Sequence, residues 1–262
     1  MSITIDACFA QHQGDRKEQQ DRVTILAHPK VKGVALAVVA DGMGGHTGGV
    51  LAAEQVVHTA RNNLTHFSPQ EDTPQHMLEN SMLEAHTMIK ASRFINEKDP
   101  HSTAVMLLLQ PGKVSWAHCG DSRLYHFRGD KLLTRTTDHS YVEHLLASGK
   151  ITAEQALTHP YRNVLLTSLG GAEAPKFDYG ETTELLDGDS YLLCSDGLWG
   201  YFDAAEMGGV VAAFSAREAC EMLIHRARER AKGEGDNCSL AIVKFKEVEK
   251  QPQRFAPPFR GN

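Results

Sequence analysis

Basic charge is scarce in this chain. The 27 lysines and arginines face 33 acidic residues, a formal net charge of -6, so the positive surplus that marks a nucleic-acid binder is missing. Long apolar runs are missing too: the longest, Val34 to Ala40 and Ala104 to Leu109, are far too short to span a bilayer. The opening MSITIDACFA has no basic segment and already carries Asp6, so no secretory signal is expected. The five cysteines are odd in number, scattered and never spaced as CxxC, which leaves neither a disulfide framework nor a zinc knuckle. None of the 14 histidines forms an HxH or HExxH pattern, so most are expected at the surface. There is no Gly-x-Ser-x-Gly elbow and no cysteine in a phosphate-cradling loop, which excludes the common nucleophile-dependent hydrolases. What remains, with 41% hydrophobic and 23% charged residues, is a globular composition. The expectation is a monomeric cytoplasmic protein with neither membrane nor nucleic-acid partners.

Short strand signals dominate the pattern. Ile3, Ile5, Ala7 and Phe9 alternate with polar or small residues as in a half-buried strand. Val34 to Ala40, Ala104 to Leu109 and Tyr191 to Cys194 are continuous apolar runs, as expected for strands covered on both faces. Val114 to Cys119, Arg123 to Phe127, Lys131 to Thr134 and Ser239 to Phe245 add more strands, with hairpin turns at Pro111-Gly112 and Gly129-Asp130. Helices are expected over Val50 to Leu64, from Pro74 through Ile89, and over Ala216 to Ala231 behind the Ser215/Glu218 capping box. Strands in hairpin-like groups with helices between the groups point to an α+β fold with antiparallel sheets. Residues 1–246 read as one domain, and the Pro-containing stretch 247–262 reads as a disordered tail.

Four aspartates sit at or beside strand ends, next to small residues. Asp41-Gly42 and Asp196-Gly197 each end an apolar strand, Asp236-Asn237 precedes one, and Asp121 lies in Gly120-Asp-Ser-Arg123 between two. Any single Asp-Gly pair is first of all a turn. As a set, carboxylates at strand ends beside glycines that admit close backbone approach suit a hard-cation site.

The ordered motifs carry a resemblance. Arg16-Lys-Glu-Gln-Gln-Asp21, Asp41-Gly-Met-Gly-Gly-His46, Ser102-Thr-Ala-Val105, Gly120-Asp-Ser-Arg123, Asp138-His-Ser140, Gly149-Lys-Ile-Thr152, His159-Pro160, Arg162-Asn163, Ser168-Leu-Gly170, Ser195-Asp-Gly-Leu-Trp199 and Gly235-Asp-Asn237 follow one another along nearly the whole chain. The sequence resembles the metal-dependent protein serine/threonine phosphatases of the protein phosphatase 2C type, in their bacterial form. The resemblance implies a four-layer α/β/β/α sandwich of two stacked antiparallel sheets, with a mobile flap over residues 141–163 beside a two-metal centre. Manganese or magnesium is implied as the cofactor, two core ions with a weaker third. Asp41 is implied to bridge both core ions and the Gly42 carbonyl to bind one. Asp196 and Asp236 are implied to complete the other, Asp21 to hold metal-bound water, and Arg16 to grip the substrate phosphate. Asp121, with Asp196, is implied to form the third site. The implied reaction is attack of a metal-activated water on phosphoserine or phosphothreonine. The implied partners are phosphorylated proteins, a Ser/Thr kinase and that kinase's substrates.

Three positions depart from the family pattern. Gln20 replaces a frequent Glu, Gly200 replaces a frequent Asp, and Met43 replaces the histidine that eukaryotic members use as a proposed general acid. The leaving-group proton then comes from metal-bound water or another group, His46 being near in sequence. A degenerate phosphoprotein-binding module and a two-metal nuclease are the competing readings. Retention of Asp41, Asp196 and Asp236 speaks against the first, and the acidic balance against the second. Cys119, Cys194 and Cys238 each lie two residues from one of these aspartates and are expected as small buried residues, with soft-metal or oxidant capture the sharper alternative.

Overall fold

The computed structural model describes residues 3–96 and 99–247. The chain opens with β1 (Ile3–His12), β2 (Arg22–Ala27), β3 (Ala35–Ala40) and the two-residue β4 (Gly42–Met43). Two long helices follow, α1 (His46–His66) and α2 (Pro74–Asn96). Next come β5 (His101–Ser102), β6 (Ala104–Gln110), β7 (Lys113–Cys119), β8 (Arg123–Arg128) and β9 (Lys131–Arg135). Short helices α3 (Tyr141–Ala147) and α4 (Ala153–Leu157) precede β10 (Asp178–Thr182) and β11 (Asp189–Cys194). The helical turn α5 (Asp196–Trp199), then α6 (Ala204–Ala213) and α7 (Ala216–Ala231), lead into β12 (Cys238–Glu247).

Two five-stranded antiparallel sheets result, ordered β1-β12-β11-β8-β9 and β10-β7-β6-β3-β2. The apolar runs are continuous because each strand is covered twice. In β3, Leu36, Val38 and Ala40 face α1 and α2, while Ala37 and Val39 enter the core between the sheets. In β11, Leu192 and Cys194 face α6 and α7, while Tyr191 and Leu193 point the other way. The four-layer α/β/β/α sandwich follows from this double covering.

Local signals behave as their chemistry dictates. The Ser215 hydroxyl accepts from the Glu218 N–H and the Glu218 side chain answers at the Ser215 N–H, so α7 begins where its capping box stands. Pro74 opens α2. Gly112 and Gly129 close their hairpins at φ +73° and +59°, a region glycine enters freely.

Several elements lie outside the sequence expectation. Strands β2 and β10 and helix α6 carry no clean periodicity. Helix α6 is apolar nearly all round and contains Gly208, where a Cβ would stand 2.4 Å from the Asp130 carbonyl. Helix α1 starts at His46 and not at Val50 because it runs through Gly48 and Gly49, poor helix formers that mask its first turn. Strand β12 extends to Glu247, one residue past the expected domain edge; the expected tail beyond it lies outside the described residues. Among the described histidines, 28, 86, 118 and 126 are buried and the others are partly or fully exposed. Among the described residues no helix is long and apolar enough to cross a membrane.

Candidate metal centre and active site

Register brings the acidic residues together. Arg22 pairs with Ala40, so Asp21 and Asp41 lie side by side at one end of their sheet. Cys194 pairs with both Leu240 and Arg123, and His12 with Cys238, which gathers Asp196, Asp236, the 13–16 loop and the Gly120–Ser122 turn at the same end of the other sheet. The result is a cleft of about 650 Å³ lined by Arg16, Asp41, Gly42, Asp121, Asp196 and Asp236. Lys17, Gln20, Met43, Gly44, Gly45, Asn163 and Leu165 complete much of its wall. Asn163 comes from the flap segment, and Leu165 just after it forms an isolated bridge with Ser140.

Each acid is held by its backbone. The Thr103 N–H donates to the Asp41 carbonyl at 2.9 Å, and the Asp41 N–H donates back to the Thr103 hydroxyl at 3.1 Å. That exchange explains why Ser102-Thr103 stands among the motifs. Gly42 has no room for a side chain: a Cβ would lie 2.0 Å from the Gly49 carbonyl and 2.8 Å from that of Gln20. Asp196 opens α5, whose turn is closed by the Gly200 N–H bonded to the Asp196 carbonyl at 2.9 Å. Asn237 ties two loops, accepting from the Gln20 N–H at 2.7 Å and donating to the carbonyls of Gln13 and Glu18. Sequence reading passed over this role, although Asn237 directly follows Asp236.

Asp21 does not line the cleft. It is 1% exposed and accepts the Ser195 hydroxyl at 2.7 Å, while the same oxygen of Ser195 receives the Ser239 N–H. Arg16 donates to Asp236 at 2.5 Å across the mouth. Trp199, expected as core or site wall, donates its indole N–H to the Asp121 carbonyl at 2.9 Å, and its ring lies under the Arg123 guanidinium at 3.5 Å. Arg123 in turn forms a two-pronged ion pair with Asp138.

The electrostatics are those of a cation site. Desolvation and then mutual repulsion raise these carboxyls. Asp21 rises to about 7, with the Asp196 charge opposing its ionisation. Asp121 rises to about 7 and Asp196 to about 6, the latter against Asp236. Asp41 rises well above the ordinary range, burdened by Asp21 and Asp196 after desolvation. Carboxylates and a backbone carbonyl are the hard oxygen donors that manganese and magnesium take, and divalent charge relieves this repulsion. The residues present fit the group.

A second cluster reads differently. Ligand atoms of His118, His139 and Asp178 lie within 4.8 Å of one another. The two imidazoles, however, stack with centroids 4.6 Å apart and planes 17° from parallel, so their in-plane lone pairs cannot converge on one ion. His139 Nδ1 accepts from the Gly120 N–H at 3.2 Å, and the His139 N–H donates to the Gly120 carbonyl. The pair of bonds holds the turn that carries Asp121. The three cysteines near the acids are buried, and desolvation pushes their thiols up, Cys119 to about 12. The side chain of His46 lies outside the described residues.

Comparison with known proteins agrees with this geometry. The family model described as Protein phosphatase 2C matches residues 10–233. The protein phosphatase PhpP of Streptococcus pneumoniae is 30% identical over 223 residues, 82% of this chain and 87% of its own. The solved serine/threonine phosphatase of S. agalactiae superimposes with a TM-score of 0.82 at 28% identity, over 92% of this chain and 99% of that one. The catalytic domain of the serine/threonine phosphatase PstP, solved in complex with two manganese ions, gives 0.78 at 26% identity over 94% and 100%. With a family match that spans every acid of the cleft except Asp236, and a relative aligned across most of its length, the chain belongs to the protein phosphatase 2C family and is a metal-dependent serine/threonine phosphoprotein phosphatase.

Proposed function

We propose that the cleft acids divide the work of holding two core ions and a third, weaker one. Asp41 and the Gly42 carbonyl would hold the first ion, and Asp41, Asp196 and Asp236 would hold the second. Asp121, beside Asp196, holds the third. Asp21 supports the group from behind, its carboxylate oriented by Ser195. Bound manganese or magnesium supplies Lewis acidity, polarising phosphoryl oxygens and lowering the pKa of water.

The protein's own groups position the substrate. Arg16 offers a planar fork that matches a phosphoryl group, and it exchanges Asp236 for phosphate when substrate enters. Met43 and Leu165 flank the cleft with apolar surface, which limits water beside the reacting phosphoryl group. No side chain among the described residues lining the cleft is a serine or cysteine nucleophile, in keeping with direct attack by water.

The reading extends to a cytoplasmic monomer that acts on phosphorylated proteins and opposes a serine/threonine kinase, with no membrane or nucleic-acid partner. Its catalytic domain closes with β12, which ends at Glu247. The observation that carries the site assignment is the convergence of Asp41, Asp121, Asp196 and Asp236 on one cleft, with Asp21 buried behind them. The test is manganese-dependent release of phosphate from a phosphothreonine peptide by wild type, Asp41→Asn, Asp196→Asn and Asp236→Asn. Each substitution should cost on the order of 10³-fold, the scale of losing several kcal/mol of metal-borne stabilisation. Wild-type turnover in any of the three would overturn the assignment.

A further inference from the structure

Arg16 and Asp236 sit on different loops, and the ion pair between them is a poor way to hold those loops together. Their side chains are 62% and 39% exposed, and an exposed pair contributes little. In the proposed reaction that pair must also open, because Arg16 turns to the phosphate. Something else must keep the two loops in place while it does.

We propose that Asp15 is the positioning residue for Arg16, acting through Arg228 and Gly235. The Asp15 carboxylate receives both prongs of the Arg228 guanidinium, at 2.7 and 2.9 Å. It also accepts the Gly235 N–H at 2.7 Å, while its own N–H donates to the Gly235 carbonyl at 2.8 Å. The residue before Arg16 is therefore pinned at four points to the residue before Asp236 and to helix α7. The backbones touch there: Gly14 stands at φ +70°, and a Cβ on it would lie 2.1 Å from the Asp236 carbonyl. Gly235 lies close against the clamp itself, since a Cβ would meet the Arg228 guanidinium at 2.6 Å and Ala231 at 2.9 Å.

The chemistry explains the residue types. Two parallel N–H groups in one plane match one carboxylate, which lysine cannot reproduce. The pair is less exposed than the one it supports, at 28% for Asp15 and 27% for Arg228. None of its bonds uses Arg16 or the Asp236 carboxylate, so the clamp survives when Arg16 changes partner. Asp15 stands in the cleft wall beside Arg16 with its carboxylate taken up by Arg228 and Gly235, so its effect on the substrate runs through where Arg16 starts.

The inference rests on the reading of Arg16 as the phosphate clamp, and the experiment separates the two. Steady-state kinetics on a phosphothreonine peptide at saturating manganese would compare Asp15→Asn, Arg228→Lys, Arg16→Ala and the double variant Asp15→Asn/Arg16→Ala. Competitive inhibition by inorganic phosphate is read on the same proteins. Asp15→Asn and Arg228→Lys should each raise KM and the phosphate inhibition constant roughly ten-fold with kcat changed less than about two-fold, the pattern of misplaced binding groups. In the Arg16→Ala background, Asp15→Asn should add nothing. Arg16→Ala raising KM while neither clamp variant does would overturn this inference alone. An unchanged KM in Arg16→Ala would remove the reading of Arg16 and this inference with it. An equal KM penalty from Asp15→Asn with and without Arg16 would show that Asp15 acts on the fold and not through Arg16, which also overturns the proposal. Arg228→Lys keeps the charge and carries the test should Asp15→Asn fail to fold.

Discussion

The indole N–H of Trp199 ends on the backbone carbonyl of Asp121, 2.9 Å away. The carboxylate assigned to the weakest ion is thus steered by a hydrogen bond to its own main chain, from a ring that a guanidinium covers on one face. Trp199→Phe keeps the ring and removes only the donor. It should lower kcat on a phosphothreonine peptide about 10-fold, while Asp121→Ala should lose about 10²- to 10⁴-fold, the span of general-acid assistance. Both losses should be smaller on p-nitrophenyl phosphate, whose leaving group departs without a proton. Calorimetric titration should find the two tighter manganese sites near wild type in both variants, and equal losses on the two substrates would refute the proton-donor role of the Asp121 site.

A second expectation concerns pH. Asp21 and Asp121 titrate near 7 and Asp196 near 6 in the fold, against 3.8 ordinarily. Between these values the metal-free fold binds more protons than the unfolded chain, so this contribution to stability is present at low pH and is lost as pH rises toward 7. Bound cations favour the charged forms and reverse the trend. Buried His86, His118 and His126 and the partly exposed His101 have lowered values and act in the opposite sense below about 6.5, but they do so with and without metal. The difference in Tm between manganese and EDTA should therefore grow from about pH 5.5 to about pH 8. A difference independent of pH in differential scanning fluorimetry would contradict it.

Gly49 offers a third test, because its missing side chain protects a carbonyl and not a fold. A Cβ there would come within 2.6 Å of the Gly42 carbonyl oxygen. Gly49→Ala, although alanine is the better helix former, should displace that oxygen. Manganese affinity is expected to fall on the order of 10- to 100-fold, the scale seen when a group supporting a metal ligand is disturbed. Isothermal titration with manganese checks this, and wild-type affinity would show that the carbonyl is not a ligand.

Thiol chemistry gives a fourth. Cys119, Cys194, Cys220 and Cys238 are buried and their thiols are pushed up by desolvation, whereas Cys8 is partly exposed. Alkylation proceeds through the thiolate. Native protein treated with iodoacetamide near pH 8 should be modified at Cys8 alone, as read by peptide mass spectrometry. Rapid labelling of Cys119, Cys194 or Cys238 would revive soft-metal or oxidant capture beside the cleft.

The acids of the cleft were legible because their chemistry restricts both residue type and position: each is an aspartate in a turn at or near a strand end, and Asp41 and Asp196 are followed by a glycine that backbone contact requires. The doubly covered strands β3, β6, β11 and β12 were legible for a related reason, since burial on both faces leaves no polar alternation. Strand β2, at a sheet edge, and β10, which is half polar, carry no such signature. Helix α6 hides because it is apolar nearly all round and contains two adjacent glycines. The Asp15–Arg228 clamp joins residues 213 positions apart, and neither side chain has a local partner that would advertise the other.

The cleft draws its acids from both layers of strand. Asp21 and Asp41 belong to the sheet that α1 and α2 cover, Asp196 and Asp236 to the sheet that α6 and α7 cover, and Asp121 to the connection from β7 to β8 that passes between them. Ions held there would act as a rivet through two plates. A force or a partner that slides one plate over the other by a fraction of an ångström alters the grip on the ions without touching a carboxylate, and loading the ions stiffens the sandwich against that slide.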